Sequence, residues 1–222
     1  MSLTEKIAFK IVNNAKLFLN VDEDKEQIII YGAINLFQIV FAILWVIIAG
    51  LFLGVLYEAL LFSITTSILR KYSGGVHASS LSRCIMIGTI SATLAGLAIE
   101  KIFFNINIYA LILINIALML FDFIIVTKNA PVDSIQKPIT KIGMKKKFKK
   151  KSIIVLFIFS FIIIVLFILN RKYSELYYIR LIESISLGAL WQTITLTKIG
   201  IRFLNKVDFV LKYIMDRRRL IL

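Results

Sequence analysis

Residues 28–69 read IIIYGAINLFQIVFAILWVIIAGLFLGVLYEALLFSITTSIL, and this stretch decides the fold. Its 42 positions contain a single charged side chain, Glu58. At about 1.5 Å per residue, one helix of that length would reach roughly twice the depth of a bilayer's hydrocarbon core. The stretch therefore predicts two membrane-crossing helices with a tight turn between them, in the region of Gly50 and Gly54. Four more apolar blocks follow, at about 84–99, 108–127, 152–169 and 178–198. Composition agrees: 59% of the 222 residues are hydrophobic, against about 45–50% in an ordinary soluble domain. The expected fold is all-α, a polytopic membrane protein with six transmembrane helices in one domain spanning residues 1–222.

Ahead of the first span, Leu3, Ile7, Ile11, Ala15 and Phe18 recur at helical spacing, with Lys6, Lys10 and Lys16 between them. This pattern predicts an N-terminal amphipathic helix over 3–20, lying in the membrane interface. An acidic link at 22–26 leads from it into the bilayer, too late and too acidic for a signal peptide.

The chain carries 27 Lys and Arg against 13 Asp and Glu, a formal charge of +14. Such a charge can serve nucleic acid, but here the basic residues crowd the ends of apolar blocks, where they meet anionic lipid. Nucleic acid is accordingly set aside as a partner. Loop 128–151 holds nine lysines against one acid, Asp133, and the tail 199–222 ends in Arg217, Arg218 and Arg219. The positive-inside rule then puts both termini, the 70–83 loop and the 128–151 loop in the cytoplasm. The lysine-rich loop itself reads as a lipid anchor.

One cysteine excludes an intramolecular disulfide, and one histidine excludes a histidine-rich metal site. Both single residues, His77 and Cys84, fall in the polar segment RKYSGGVHASSLSRC at 70–84. A thiol is a good nucleophile as thiolate, and a nearby imidazole is the usual means of forming one. In a continuous helix the two residues would stand about 10.5 Å apart along the axis, so the segment must bend. Gly74 and Gly75 precede the histidine, and Ser79, Ser80 and Ser82 precede the cysteine. A serine N-cap would place Cys84 in the first turn of the third span, where free N–H groups favour an anion and could form an oxyanion hole. Arg70 and Lys71 would hold an anionic group or keep the thiolate charged. From spacing alone, a palmitoylation site or an inert packing cysteine stays open beside this reading.

The segment Arg70-Lys71-Tyr72-Ser73-Gly74-Gly75-Val76-His77-Ala78-Ser79-Ser80, with Cys84 beyond it, resembles the signature of the accessory gene regulator B (AgrB) family. Ala130-Pro131-Val132-Asp133 through Lys137-Pro138-Ile139 is similar to that family's loop after the fourth span. The resemblance implies a membrane cysteine endopeptidase of quorum sensing in Gram-positive bacteria. It implies Cys84 as nucleophile and His77 as general base and later acid, with Arg70 and Gly75 as supporting residues. The partner it implies is a short AgrD-like precursor peptide, trimmed at its C-terminal part and cyclised through a thioester, with no cofactor or metal. Family members act as homodimers.

Intramembrane acids mark function or interhelical hydrogen bonding. Asp122 is the acid positioned to reach and orient His77, Glu58 lies too deep, and Glu183 and Gln192 share the sixth span. Gly88, Ser91, Ala92, Ala95 and Gly96 would let another helix approach the third span closely. Two rival classes remain. A transporter or channel-like binder would use Glu58, Asp122 and Glu183 as a polar path, and a membrane scaffold would need neither His77 nor Cys84.

Overall fold

The computed structural model describes residues 23–76, 78–102, 107–133, 142–173 and 175–219. Among them are seven helices: α1 (Glu23–Leu53), α2 (Leu56–Ser73), α3 (Leu81–Lys101), α4 (Ile108–Asn129), α5 (Ile142–Tyr173), α6 (Leu176–Ile194) and α7 (Lys198–Arg219). The expected helix over 3–20 lies outside the described residues, as does His77.

The long apolar stretch divides as its glycines predict. Gly54 takes φ +72°, a conformation that side chains with a Cβ resist, and Val55 N–H donates back to the Gly50 carbonyl at 2.9 Å. Gly50 also lets the returning chain pass close, since a Cβ there would stand 2.9 Å from Leu56 Cα.

Four helices are long and apolar enough to cross a membrane, over Leu36–Leu53, Leu81–Lys101, Ile108–Asn129 and Gly143–Tyr173. They turn apolar side chains outward, among them Phe52, Leu94, Leu113 and Phe161. A surface of that kind is stable against lipid and costly in water. Together with the family relationship reported below, this makes the chain a multi-pass membrane protein.

The remaining two bundle helices, α2 and α6, are more polar because they face protein. Along α6, Ile182, Glu183, Ser184, Ile185, Ser186, Gly188, Ala189, Gln192 and Thr193 are all buried, which leaves little of its circumference for lipid. Gly188 allows α2 to lie directly against it: a Cβ there would meet the Phe62 carbonyl at 2.8 Å, and Thr66 Oγ1 donates to the Gly188 carbonyl at 3.0 Å. Around this pair the apolar core divides in two. Leu69, Met119, Val126, Leu156, Phe159, Ile182 and their neighbours join α2, α4, α5 and α6. On the other side Val46, Ala59, Phe62 and Ala92 join α1, α2 and α3. Of the small residues on α3, Ala92 is buried and Gly96 packs against Val55, whereas Gly88 faces open space.

Several boundaries differ from the sequence reading. The acidic residues from Glu23 onward are helical and begin α1, so they are not a link. Lys145–Lys151 form the first turns of α5 and are not part of a loop. Lysine is a good helix former, and its apolar stem can run along the bundle while the ammonium stays in water. The basic tail is also helical: Ile201, Leu204, Val207, Asp208, Leu211 and Met215 face inward at helical spacing along α7.

Candidate active site

The C-terminal ends of α2, α4 and α6 come together with the N-terminal end of α3. α2 carries Arg70 in its last turn and closes on Gly74, whose N–H donates to the Arg70 carbonyl at 3.0 Å. Gly74 takes φ +70° and pairs with Val132 in an isolated parallel bridge. Val132 N–H donates to the Ser73 carbonyl at 2.9 Å, and Gly75 N–H donates to the Val132 carbonyl at 3.2 Å. A Cβ on Gly74 would fall 2.2 Å from the Val132 oxygen, so only glycine fits. The two sequence blocks, Arg70–Cys84 and Ala130–Asp133, are thus one structural unit.

α6 braces this bridge from below. Gln192 Nε2 donates to the Gly74 carbonyl at 2.7 Å and to Ser73 Oγ at 3.0 Å. Asn129 Nδ2 donates to the Leu196 carbonyl at 3.0 Å, which ties the end of α4 to the end of α6. Gly75 lies over the same patch. A Cβ there would stand 3.2 Å from Thr195 Oγ1 and 3.3 Å from Gln192 Nε2, on a backbone with φ +132°.

Arg70 reaches the loop from inside. Its Nη2 donates to the carbonyl of Val76, the residue before His77, while its Nε is buried with no partner among the described residues. It also lies within electrostatic reach of Cys84. Arg70 therefore grips the arm of the segment that leads into His77 and places its charge near the arm that carries Cys84.

Cys84 closes the first turn of α3, half-buried, with its N–H bonded to the Ser80 carbonyl at 3.0 Å. Ser80 holds the N-cap position with an extended backbone, but its hydroxyl makes no capping bond. The residues on either side of the cap, Ser79 and Arg83, are held from α7. Asp208 Oδ2 accepts from Ser79 N–H at 3.1 Å and from Ser79 Oγ at 2.6 Å. Its Oδ1 accepts from Arg83 Nε at 2.6 Å, and Arg83 Nη2 donates to Ser79 Oγ at 2.5 Å. Burial alone would raise the Asp208 carboxyl, but the hydrogen bonds from Ser79 and Arg83 and the Arg83 charge outweigh it and hold it below the usual carboxylate range.

Asp122 does not join this cluster among the described residues. It is fully buried on α4 beside Thr193 of α6, its nearest polar partner, with no carboxyl hydrogen bond of good geometry among the described residues. The other intramembrane acids are interhelical partners. Glu58 Oε1 accepts from Arg180 Nη1 at 3.1 Å, and Glu183 Oε1 accepts from Asn115 Nδ2 at 2.7 Å, with Ser186 donating to Asn115 Oδ1. The sequence reading had Gln192 as an interhelical hydrogen-bonding residue, which its bonds to Ser73 and Gly74 bear out, but missed Val132 as the bridge partner and Asp208 as the clamp on Ser79 and Arg83. The helical spacing of apolar residues through 201–215 was the one signal that could have pointed to α7.

This fold and site define a multi-pass α-helical membrane protein with a glycine-bent, cysteine-bearing loop locked to the end of its fourth described helix. The family profile of Accessory gene regulator B matches residues 4–196, and the chain belongs to that family. It is 38% identical over 207 residues to "Putative AgrB-like protein" of Clostridium perfringens (strain SM101 / Type A), covering 93% of this chain and 97% of the relative. It is also 38% identical over 209 residues to "Putative AgrB-like protein 2" of Clostridium perfringens (strain 13 / Type A), with the same coverage. No solved structure is similar to it.

Proposed function

We propose that this protein is a membrane cysteine endopeptidase that trims a short AgrD-like signalling precursor and promotes its cyclisation for quorum sensing. The observation that carries the reading is the grip of Arg70 on the Val76 carbonyl within electrostatic reach of Cys84, on a loop braced by Val132 and Gln192. In the proposed mechanism His77 takes the Cys84 proton, and the sulfur attacks the carbonyl of the scissile peptide bond. The tetrahedral intermediate collapses with loss of the C-terminal fragment, whose amine takes the proton from His77. The remaining peptide is held on Cys84 as a thioester. A cysteine or serine within the peptide then attacks that carbonyl, closing a thiolactone or lactone and returning the thiol to Cys84. A thioester persists long enough for this where water is kept out. Arg70, always charged, opposes the negative charge on sulfur while fixing the loop.

In the same proposal α1–α6 all cross the bilayer. α2 and α6 have 18 and 19 residues and reach about 27–28 Å, close to a hydrocarbon core of about 30 Å. The gathered ends of α2, α4 and α6, the start of α3, the lysine-rich start of α5 and the helix α7 would then share the cytoplasmic face, where a newly made precursor is found. A homodimer is part of the proposal by family likeness.

The test is co-expression with the precursor peptide, reading its C-terminal cleavage by mass. Cys84→Ala and His77→Ala should each abolish cleavage at unchanged membrane levels, and Cys84→Ser should leave at most a trace. Cleavage that survives both alanine substitutions would refute the reading.

A further inference from the structure

We infer that Asp208 of α7 is a positioning residue for Cys84, setting the first turn of α3 through Ser79 and Arg83. The inference deepens the proposed activity and rests on it for its catalytic consequence, though not for its geometry.

A helix start needs acceptors for its free N–H groups, and a side chain of the preceding segment ordinarily supplies one. Here Ser80 occupies the cap position without a capping bond from its hydroxyl, and Asp208, far along the chain, grips the residues on either side of it, Ser79 and Arg83. Asp208 accepts three hydrogen bonds, two from Ser79 and one from Arg83, and Arg83 returns to Ser79 to close the ring. The Arg83 and Asp208 side chains are 11% and 15% exposed, while Ser79 lies at the surface, so the charge-assisted Arg83–Asp208 pair is the firmer part of the ring. Arg83 immediately precedes Cys84, and the Cys84 N–H is bonded within the same turn. The clamp therefore fixes residues 79–84, which follow His77 in the sequence, while Arg70 fixes residue 76, which precedes it.

The clamp also has a foundation. Leu204 is buried against the bundle one turn before Asp208, and Val207 and Leu211 flank the acid on the same inward face. The family profile ends at residue 196, before α7 begins at Lys198.

Cys84 is the chain's single cysteine, so thiol alkylation of the full-length protein in membranes reports on it alone. Asp208→Ala and the isosteric Asp208→Asn should both raise the rate of Cys84 alkylation by a small uncharged reagent several-fold. Processing turnover should fall about 10- to 100-fold with KM within about twofold, as expected when a reacting group is misplaced. Asp208→Glu, which can still accept from Arg83, should recover part of the turnover. Ser79→Ala, which removes one donor, should fall between wild type and Asp208→Ala. The inference is overturned if folded Asp208→Asn protein alkylates at the wild-type rate and keeps its turnover. It is also overturned if turnover and KM fall and rise together without any change in alkylation. If the wild type processes no precursor, the proposed activity fails, and the alkylation contrast still decides whether Asp208 seats Cys84.

Discussion

Two sets of buried polar contacts run through the bundle, and they are built differently. Away from the loop, side chain meets side chain across helices: Glu58 with Arg180 near the starts of α2 and α6, and Glu183 with Asn115 and Ser186 further in. At the end of the bundle, side chains grip the backbone of one loop. Arg70 holds Val76, Gln192 holds Gly74 and Asp208 holds Ser79. The first set satisfies polar groups that have no water available and so binds helices together. The second set fixes a chain path that has no helix of its own. Loss of the first should weaken the fold, and loss of the second should leave the fold and disable the site.

The sharpest break of that contrast is Gly74→Ala. It puts a Cβ against the Val132 carbonyl on a left-handed backbone, and such strain alone costs on the order of 1–3 kcal/mol. We expect the bridge to open and processing to fall below about 1% of wild type while the protein still inserts, as read by cleavage per membrane-extracted molecule. Next comes Arg70→Lys, which keeps the charge but loses the planar fork. Processing should fall about 10- to 100-fold with no more than a small change in the detergent melting temperature.

The first set should answer in the opposite sense. Asn115→Ala strips partners from Glu183 and Ser186 in a buried site, and should cost about 1–3 kcal/mol of stability. Cleavage per folded molecule should stay within about twofold, since no loop contact is lost, and thermal unfolding in detergent would show the loss directly. The smallest effect is expected at Lys145, whose 2.8 Å pair with Asp133 is 47% and 40% exposed. Lys145→Ala should change stability by less than about 0.5 kcal/mol, and a larger shift would mean that this pair holds the start of α5 in place.

Much of the fold was legible in order of residues. The apolar blocks, the Gly54 turn and the placement of Cys84 in the first turn of α3 follow from run lengths, glycine conformations and helix starts, which are local properties. The count of spans read from hydropathy is less direct. Among the described residues length and composition mark four helices as candidate spans, and α2 and α6, more polar and packed among the others, are not marked. The candidate site was legible where its residues are neighbours in sequence: Arg70, Gly75, His77 and Cys84 lie within one short segment. Asp122, a candidate to orient His77, lies beside Thr193 in the α4–α6 interface, and His77 is outside the described residues.

By itself, then, the sequence determined a membrane bundle and a glycine-bent loop with one thiol and one imidazole, because periodicity, run length and backbone freedom act over a turn or two. The tertiary structure alone decided what holds that loop. Val132 just past α4, Gln192 of α6 and Asp208 of α7 reach it from far along the chain, and no local pattern encodes which distant donor or acceptor will meet a given backbone group once the helices have packed.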